Sequence, residues 1–473
     1  MSGGPSKRRS PDRRAARAVQ RATSTAFGPY QSAVIRIGFA GTWLLFLLRE
    51  LPHRRELYGP DGPWSWDMAQ QLITKNGAFT GLMWSSSAVW FEIVFGAAVL
   101  SSALLMLGWR TRTMSVLFMF GVLSLQNRSI FMGDGGDNVI HLMAIYLMLT
   151  RCGQVWSLDA RRAAREAARA EALAASGEAG DGAGDGAEAD APDGGRGDGA
   201  DDGGRVAPDR VAPDRVAPDR VVRDRGASDR GAPDRGALDR GAPDRVGPAL
   251  WVVLGVFLLI GTVTDRVQPE MWLLVLFWGQ WVGQALWWAA RRFAPGGEPR
   301  ALLDVLANLI HNAALVVIMA EVCLVYATAG WYKIQGSRWQ DGTALYYPLN
   351  LDYFAPWPDL SALLSASGVM VMLLTYGTVV VQVAFPFTLF NRRVKNVLLV
   401  AMILEHVGIA VLLGLPFFSL AMIAADAVFL PTSFLRWLGG RVAAWRDRLF
   451  TRGRSALPEE RRESPEEPRT LVG

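Results

Sequence analysis

A chain of 473 residues that is 51% hydrophobic, with 18 Trp and a formal net charge of +5, gathers its apolar residues into runs of roughly membrane-spanning length. That distribution excludes a soluble globular domain and reads as an all-α, polytopic helical membrane bundle. The basic residues are spread over loops and carry no nucleic-acid-binding fold motif, so nucleic acid is not an expected partner.

Residues 1–32 form a basic arm, SKRRSPDRRAARAVQRA, without the short apolar core and cleavage site of a secretory signal. Residues 33–158 hold four apolar runs, from about Ala33 to Leu51, Ala88 to Leu107, Met114 to Leu125 and Val139 to Thr150. The last two are short and would have to extend or distort the bilayer to cross it. Residues 159–248 change character. ARRAAREAARAEALAAS reads as a polar helix leaving the membrane, and GEAGDGAGDGAEADAPDGG has too little apolar surface to fold. From Arg205 a five-residue repeat begins, RVAPD then RGAPD, with Arg and Asp alternating among small residues. A disordered, charge-balanced cytoplasmic insert is expected there.

Apolar runs resume in residues 249–437, at about Leu250 to Thr264, Met271 to Ala290, Val305 to Gly330, Gly368 to Phe390, Asn396 to Gly414 and Pro416 to Leu435. Residues 438–473 are a polar tail. The total is about ten spans by the length criterion. With the N-terminus inside, GWRTRT, the insert, RRFAPGGEPR, NRRVKN and RWLGGRVAAWRDR all fall on the cytoplasmic side, as the positive-inside rule asks. His53-Arg54-Arg55 is the main exception. The expectation is a multi-pass plasma-membrane protein with both termini cytoplasmic, contacting membrane lipids, and with the loop from Trp331 to Ser367 outside.

The stretch YATAGWYKIQGSRWQDGTALYY, Tyr326 to Tyr347, places Lys333 among Trp331, Tyr332 and Trp339. An amine in that setting is either a snorkelling interfacial anchor or a base. Arginine is the usual cation elsewhere in the chain, and only lysine can lose its proton, which makes Lys333 a candidate catalytic base. Arg338, if close, would favour the neutral amine. His406 sits mid-run beside Glu405 in LEHVGIA. Adjacent helical residues point about 100° apart, so each would find a different partner. LQNRSIFMGDGGDNVIHL supplies Asn127, Arg128, Asp137 and Asn138 as candidate substrate contacts, with helix capping by Asp137 or Asn138 as the simpler reading. The histidines His53, His141, His311 and His406 show no metal-binding spacing, so no metal is expected.

Four ordered pieces, RIGFAGTWLL…LYGPDG, LQNRSIFMGDGGDNVIHL…WSLD, YATAGWYKIQGSRWQDGTALYYPL and EHVGIAVLLGLPFFSLAMI, resemble the HTTM family. These bacterial membrane proteins are named for a horizontally transferred transmembrane domain and are similar to the membrane part of vitamin K-dependent gamma-carboxylase. The resemblance runs from about Arg36 to Pro431, interrupted by the insert. It implies a lipid-soluble small-molecule substrate and a reduced quinone, vitamin K-like, as cofactor. Lys333 would be the base that deprotonates it, His406 would support developing negative charge, and Asn138 would be the nearest match to a further polar residue. Trp339 belongs to the same box. A polar tail stands where the carboxylase has its peptide-capturing domain, and no cysteine pair matches its lumenal disulfide. The expected chemistry is therefore carboxylase- or epoxidase-like on a quinone-type molecule rather than on a peptide; the alternative is a non-catalytic membrane component with a polar cavity.

Overall fold

A computed structural model describes residues 11–181, 246–264, 271–294 and 296–454, and the five-residue repeat lies outside them. The described residues form helices and connecting turns. In the first part of the chain these are α1 (Pro11–Ser24), α2 (Pro29–Glu50), the short α3 (Arg54–Tyr58) and α4 (Trp66–Asn76), α5 (Ala88–Leu107), α6 (Thr111–Arg128) and α7 (Gly135–Met148). The polar α8 (Leu158–Asp181) leads away from them, as its Ala-, Arg- and Glu-rich composition requires. After the undescribed segment come α9 (Val246–Val263), α10 (Met271–Phe293), α11 (Glu298–Gln335), the short α12 (Ser337–Gln340), α13 (Tyr346–Leu349) and α14 (Pro358–Ser365), then α15 (Gly368–Ala384), α16 (Arg392–Leu412), α17 (Pro416–Asp426) and α18 (Thr432–Arg454). The chain divides into two units. Met1–Glu166 with Gly255–Gly473 make the bundle, and Ala167–Leu254 make the second, whose described part is the end of α8 and the start of α9.

Among the described residues six helices are long and apolar enough to cross a membrane: Pro29–Tyr58, Ala88–Leu107, Val246–Val263, Glu298–Gln335, Gly368–Thr388 and Arg392–Leu412. A bent pair, Pro416–Phe429 with Thr432–Leu449, turns through 118° and makes a seventh if counted as one span. The ten runs of the sequence thus resolve into fewer full spans. α7 has 14 residues, about 21 Å at 1.5 Å per residue against a hydrocarbon core of about 30 Å. α6 carries Arg112 and Arg128, and α10 carries Gln280, Gln284, Arg291 and Arg292, which dilute their apolar character. The last run breaks where α17 gives way to a 3-10 turn at Ala427–Phe429 followed by Pro431.

The bundle is apolar outside as well as inside. Ile260, Trp288, Leu373, Val397 and Leu404 stand exposed on helix faces, the pattern of segments surrounded by lipid. Its core is centred on α2, which packs on α5, α7 and α17 through Ile35, Phe39, Trp43 and Leu47. α16 packs on α17, and α11 packs on α15 and α1.

The arginine of the RIGF piece is structural. Arg36 is fully buried, and its guanidinium donates from Nε to Cys152 O (3.1 Å), from Nη1 to Leu105 O (2.6 Å) and Met106 O (2.7 Å), and from Nη2 to Trp156 O (2.8 Å). Leu105 and Met106 lie in the last turn of α5, whose carbonyls lack full intrahelical pairing, and Cys152 and Trp156 lie in the turn after α7. Gly108 closes α5 at φ 76°, and a Cβ there would lie 2.7 Å from Arg36 Nη1 and 2.3 Å from Ser157 Cβ. Asp159 of the WSLD piece accepts from Arg110 N and Thr111 N, both at 2.8 Å, and so caps α6. His311 is also structural: Nδ1 accepts from Arg151 N (2.9 Å), and Nε2 lies 2.8 Å from Phe27 O. Replacing Arg36 by Met should strand the carbonyls of Met106, Cys152 and Trp156 and destabilise the bundle by roughly 3 kcal/mol, read as a lowered Tm in detergent with helical content retained before unfolding.

Candidate functional site

α11 does not stop at Gly330. Trp331, Tyr332, Lys333 and Ile334 contain no helix breaker, so the helix continues to Gln335 and ends against Gly336. Lys333 therefore lies in the last turn of a 38-residue helix and not in the loop expected from Trp331 onward. Its half-buried side chain reaches across to α15, where Nζ donates to Gln382 Oε1 at 2.7 Å. Gln382, in the apolar run VVVQVAF, turns its other end to α16 and donates from Nε2 to Glu405 Oε1 at 2.6 Å. An amine and a carboxyl on two helices are joined through a neutral amide on a third. The Trp339 ring covers the ammonium, with its centroid 5.2 Å from Nζ. Close approach of α11 to α15 needs Gly330, where a Cβ would lie 2.6 Å from Val383 Cγ2.

Arg338 plays no part at the amine. It pairs with Asp341 at 3.4 Å and lies over the Tyr347 ring. Hydrogen bonds from Thr343, aided by Arg338, hold the Asp341 carboxyl below the usual carboxylate range.

One residue on, and on another face of α16, His406 enters a second cluster. Its Nε2 lies 3.1 Å from the hydroxyl of Tyr326, which donates to Asp426 Oδ1 at 2.9 Å. Because that hydroxyl has one proton, given to Asp426, it accepts from a protonated Nε2, leaving Nδ1 as the acceptor nitrogen. His406 and Asp426 are 2% and 0% exposed, and His406 Nδ1 and Asp426 Oδ2 have no hydrogen-bond partner. The split between Glu405 and His406 expected from their helical phase is what the fold uses: adjacent residues serve different neighbours.

The remaining candidates stand apart from Lys333. Asn127, Asp137 and Asn138 line a cavity of about 150 Å³ together with Trp43, Phe46, Tyr58, Gln126 and His141. Asn127 Nδ2 donates to Phe79 O (2.8 Å), and Gln126 Nε2 donates to Asp137 O (3.0 Å). Asp137 is a capping residue, in line with the simpler expectation for it. Asp134 is the N-cap of α7, and Asp137 Oδ2 accepts from Asp134 N (2.7 Å) to complete a capping box. Arg128 lines neither site. It is buried and donates from Nη2 to Gly59 O and Trp64 O, both at 2.9 Å, which ties down the turn after α3.

α17 divides the two sites. Phe418 meets the His406 ring edge-on at 5.6 Å between centroids. On its other side it is so close to α7 that a Cβ at Gly136 would lie 2.7 Å from Phe418 Cα. The glycines of the MGDGGD turn are thus needed for helix approach as well as for capping.

Tyr326, Gln382 and Asp426 do not stand out in the sequence as site residues. Each carries a signal nonetheless: a lone polar residue inside or at the end of an apolar run, where an unpaired polar group is costly. Among the described residues no group of three or more His, Cys, Asp or Glu could hold a metal ion. No family model, curated protein or solved structure matches the chain.

Tyr326→Phe should leave the Asp426 carboxyl and His406 Nε2 buried and unpaired. A loss of roughly 2 kcal/mol or more is expected, larger than that from Thr328→Val on the exposed side of the same turn, measured by unfolding in detergent.

Proposed function

We propose that this multi-pass helical membrane protein belongs to the HTTM kind and acts on a quinone-type, lipid-soluble molecule, with Lys333 as general base. The observation carrying this reading is the neutral bridge between Lys333 and Glu405. With Lys333 charged and Glu405 ionised, Gln382 presents oxygen to the amine and N–H to the carboxylate. With both neutral, a turned amide presents N–H to the amine and accepts the carboxyl proton. The net charge of the chain is the same in both forms, so the amine can give up its proton without leaving a lone charge in an apolar medium.

The residues present fit a hydroquinone ring: Trp339 lies beside the amine, and Trp331 and Tyr332 on the same turn as Lys333 are exposed aromatic side chains. A reduced quinone would supply the electrons and an acidic hydroxyl. Starting from the neutral amine and the protonated Glu405, the chain's own part is to take that proton at Lys333 Nζ, the ammonium then being balanced by the deprotonated hydroxyl while Glu405 keeps its own proton. His406 stands with Tyr326 and Asp426 as a neighbouring store of hydrogen-bonding capacity, one helical position from Glu405. On this reading the positive-inside pattern puts the amine toward the extracytoplasmic face.

A second reading, a non-catalytic membrane component, is favoured by one observation: the cavity of Asn127, Asp137 and Asn138 does not include Lys333. Substitution at Lys333 separates the two. With reduced menaquinone in nanodiscs and dioxygen as the oxidant, followed by ultraviolet absorbance, both Lys333→Ala and Lys333→Arg should reduce oxidation to the protein-free rate while helical content persists. Full activity of Lys333→Arg would remove the base assignment, since arginine cannot serve as a base near neutral pH.

A further inference from the structure

The cavity between α2, α3, α6 and α7 has a composition of its own. Its apolar walls are the rings of Trp43, Phe46 and Tyr58, which are 1%, 5% and 3% exposed. Its rim carries Asp134, Asp137 and Asn138. No lysine or arginine lines it. Arg49 stacks on Phe46 (5.1 Å) and Phe417 (4.6 Å) and is paired with Glu50 at 2.6 Å. The Arg49–Glu50 pair adds no net charge. The N-terminus of α7 contributes about half a positive charge, against the two carboxylates that cap it. The lining residues themselves thus carry two carboxylates against about half a positive charge, with the buried Arg128 held on the backbone carbonyls of Gly59 and Trp64 behind the wall.

Tyr58 supplies the independent observation. It is almost wholly buried and lines the cavity, yet its hydroxyl makes no hydrogen bond within the described residues. A buried phenol normally has a partner. The volume, about 150 Å³, is that of a cavity known to admit a benzene-sized molecule, so there is room for about six to eight non-hydrogen atoms.

We propose that this cavity binds a small organic cation, an ammonium of choline or ethanolamine size. Aromatic walls attract the cation through their ring faces, Asp134 and Asp137 balance its charge, and the Tyr58 hydroxyl meets a polar substituent. A neutral ring would gain nothing from the carboxylates, and an anion is repelled by them. The ammonium could be free in solution or part of a lipid headgroup, and both present the same chemistry. This inference does not depend on the role assigned to Lys333, because α17 separates the sites.

The test is isothermal titration of the purified protein in a neutral maltoside detergent with choline chloride and, separately, ethanolamine hydrochloride, against sodium chloride and phenol as controls. Saturable binding of at least one amine is expected, weakened at least fivefold by Asp134→Asn, which keeps the α7 cap while removing a charge, and at least fivefold by Tyr58→Leu. Circular dichroism of both variants confirms that they fold. The headgroup source is distinguished by nanodiscs of phosphatidylglycerol with and without phosphatidylethanolamine: if the lipid is the natural occupant, its presence raises the apparent Kd for the soluble amine, and if it is not, the Kd is unchanged. Binding of phenol as tight as either amine with no effect of Asp134→Asn, or no saturable binding of either amine, overturns the proposal.

Discussion

A polar side chain inside an apolar bundle must find a partner or lose several kcal/mol, and that requirement organises the second half of this protein. Lys333 on α11, Gln382 on α15 and Glu405 on α16 form one hydrogen-bonded line, while Tyr326, His406 and Asp426 bind α11, α16 and α17 in a second. Apolar packing brings these helices together without fixing their register. The two lines fix which turn faces which, because a slip of one residue would strand a charged or hydroxyl group.

The first half solves the same problem differently. Its buried cation, Arg36, is satisfied by backbone carbonyls at the end of α5 and in the turn after α7, and Arg128 likewise by carbonyls of the turn after α3. Arginine does not give up its proton near neutral pH, so these two serve to hold backbone rather than to exchange protons. The remaining titratable side chains described above gather in the Lys333 line, the Tyr326–His406–Asp426 cluster and the cavity lining.

Much of this is legible in the amino-acid sequence. Apolar runs locate most helices, and the helical phase of Glu405 and His406 correctly sends them to different partners. The MGDGGD turn reads as a helix cap and is one. Three things are hidden. Ten apolar runs correspond to six or seven span-length helices among the described residues: the two shortest runs are already short in the sequence, while the break of the final run before Pro431 is not visible there. Apolarity ends at Gly330 and so points to a loop for Lys333, whereas helix geometry continues until Gly336. The partners Gln382 and Asp426 are single polar residues far along the chain, and only the packing of α15, α16 and α17 reveals what they face.

The account stands or falls on whether Lys333 and Glu405 are energetically joined through Gln382. A double-mutant cycle of Lys333→Met and Glu405→Gln, read by unfolding in detergent, measures that directly. A coupling of about 1 kcal/mol or more is predicted, and it should vanish when the cycle is repeated in a Gln382→Leu background. Additive effects within about 0.3 kcal/mol would mean that the amine and the carboxyl act independently, and the relay would be contradicted.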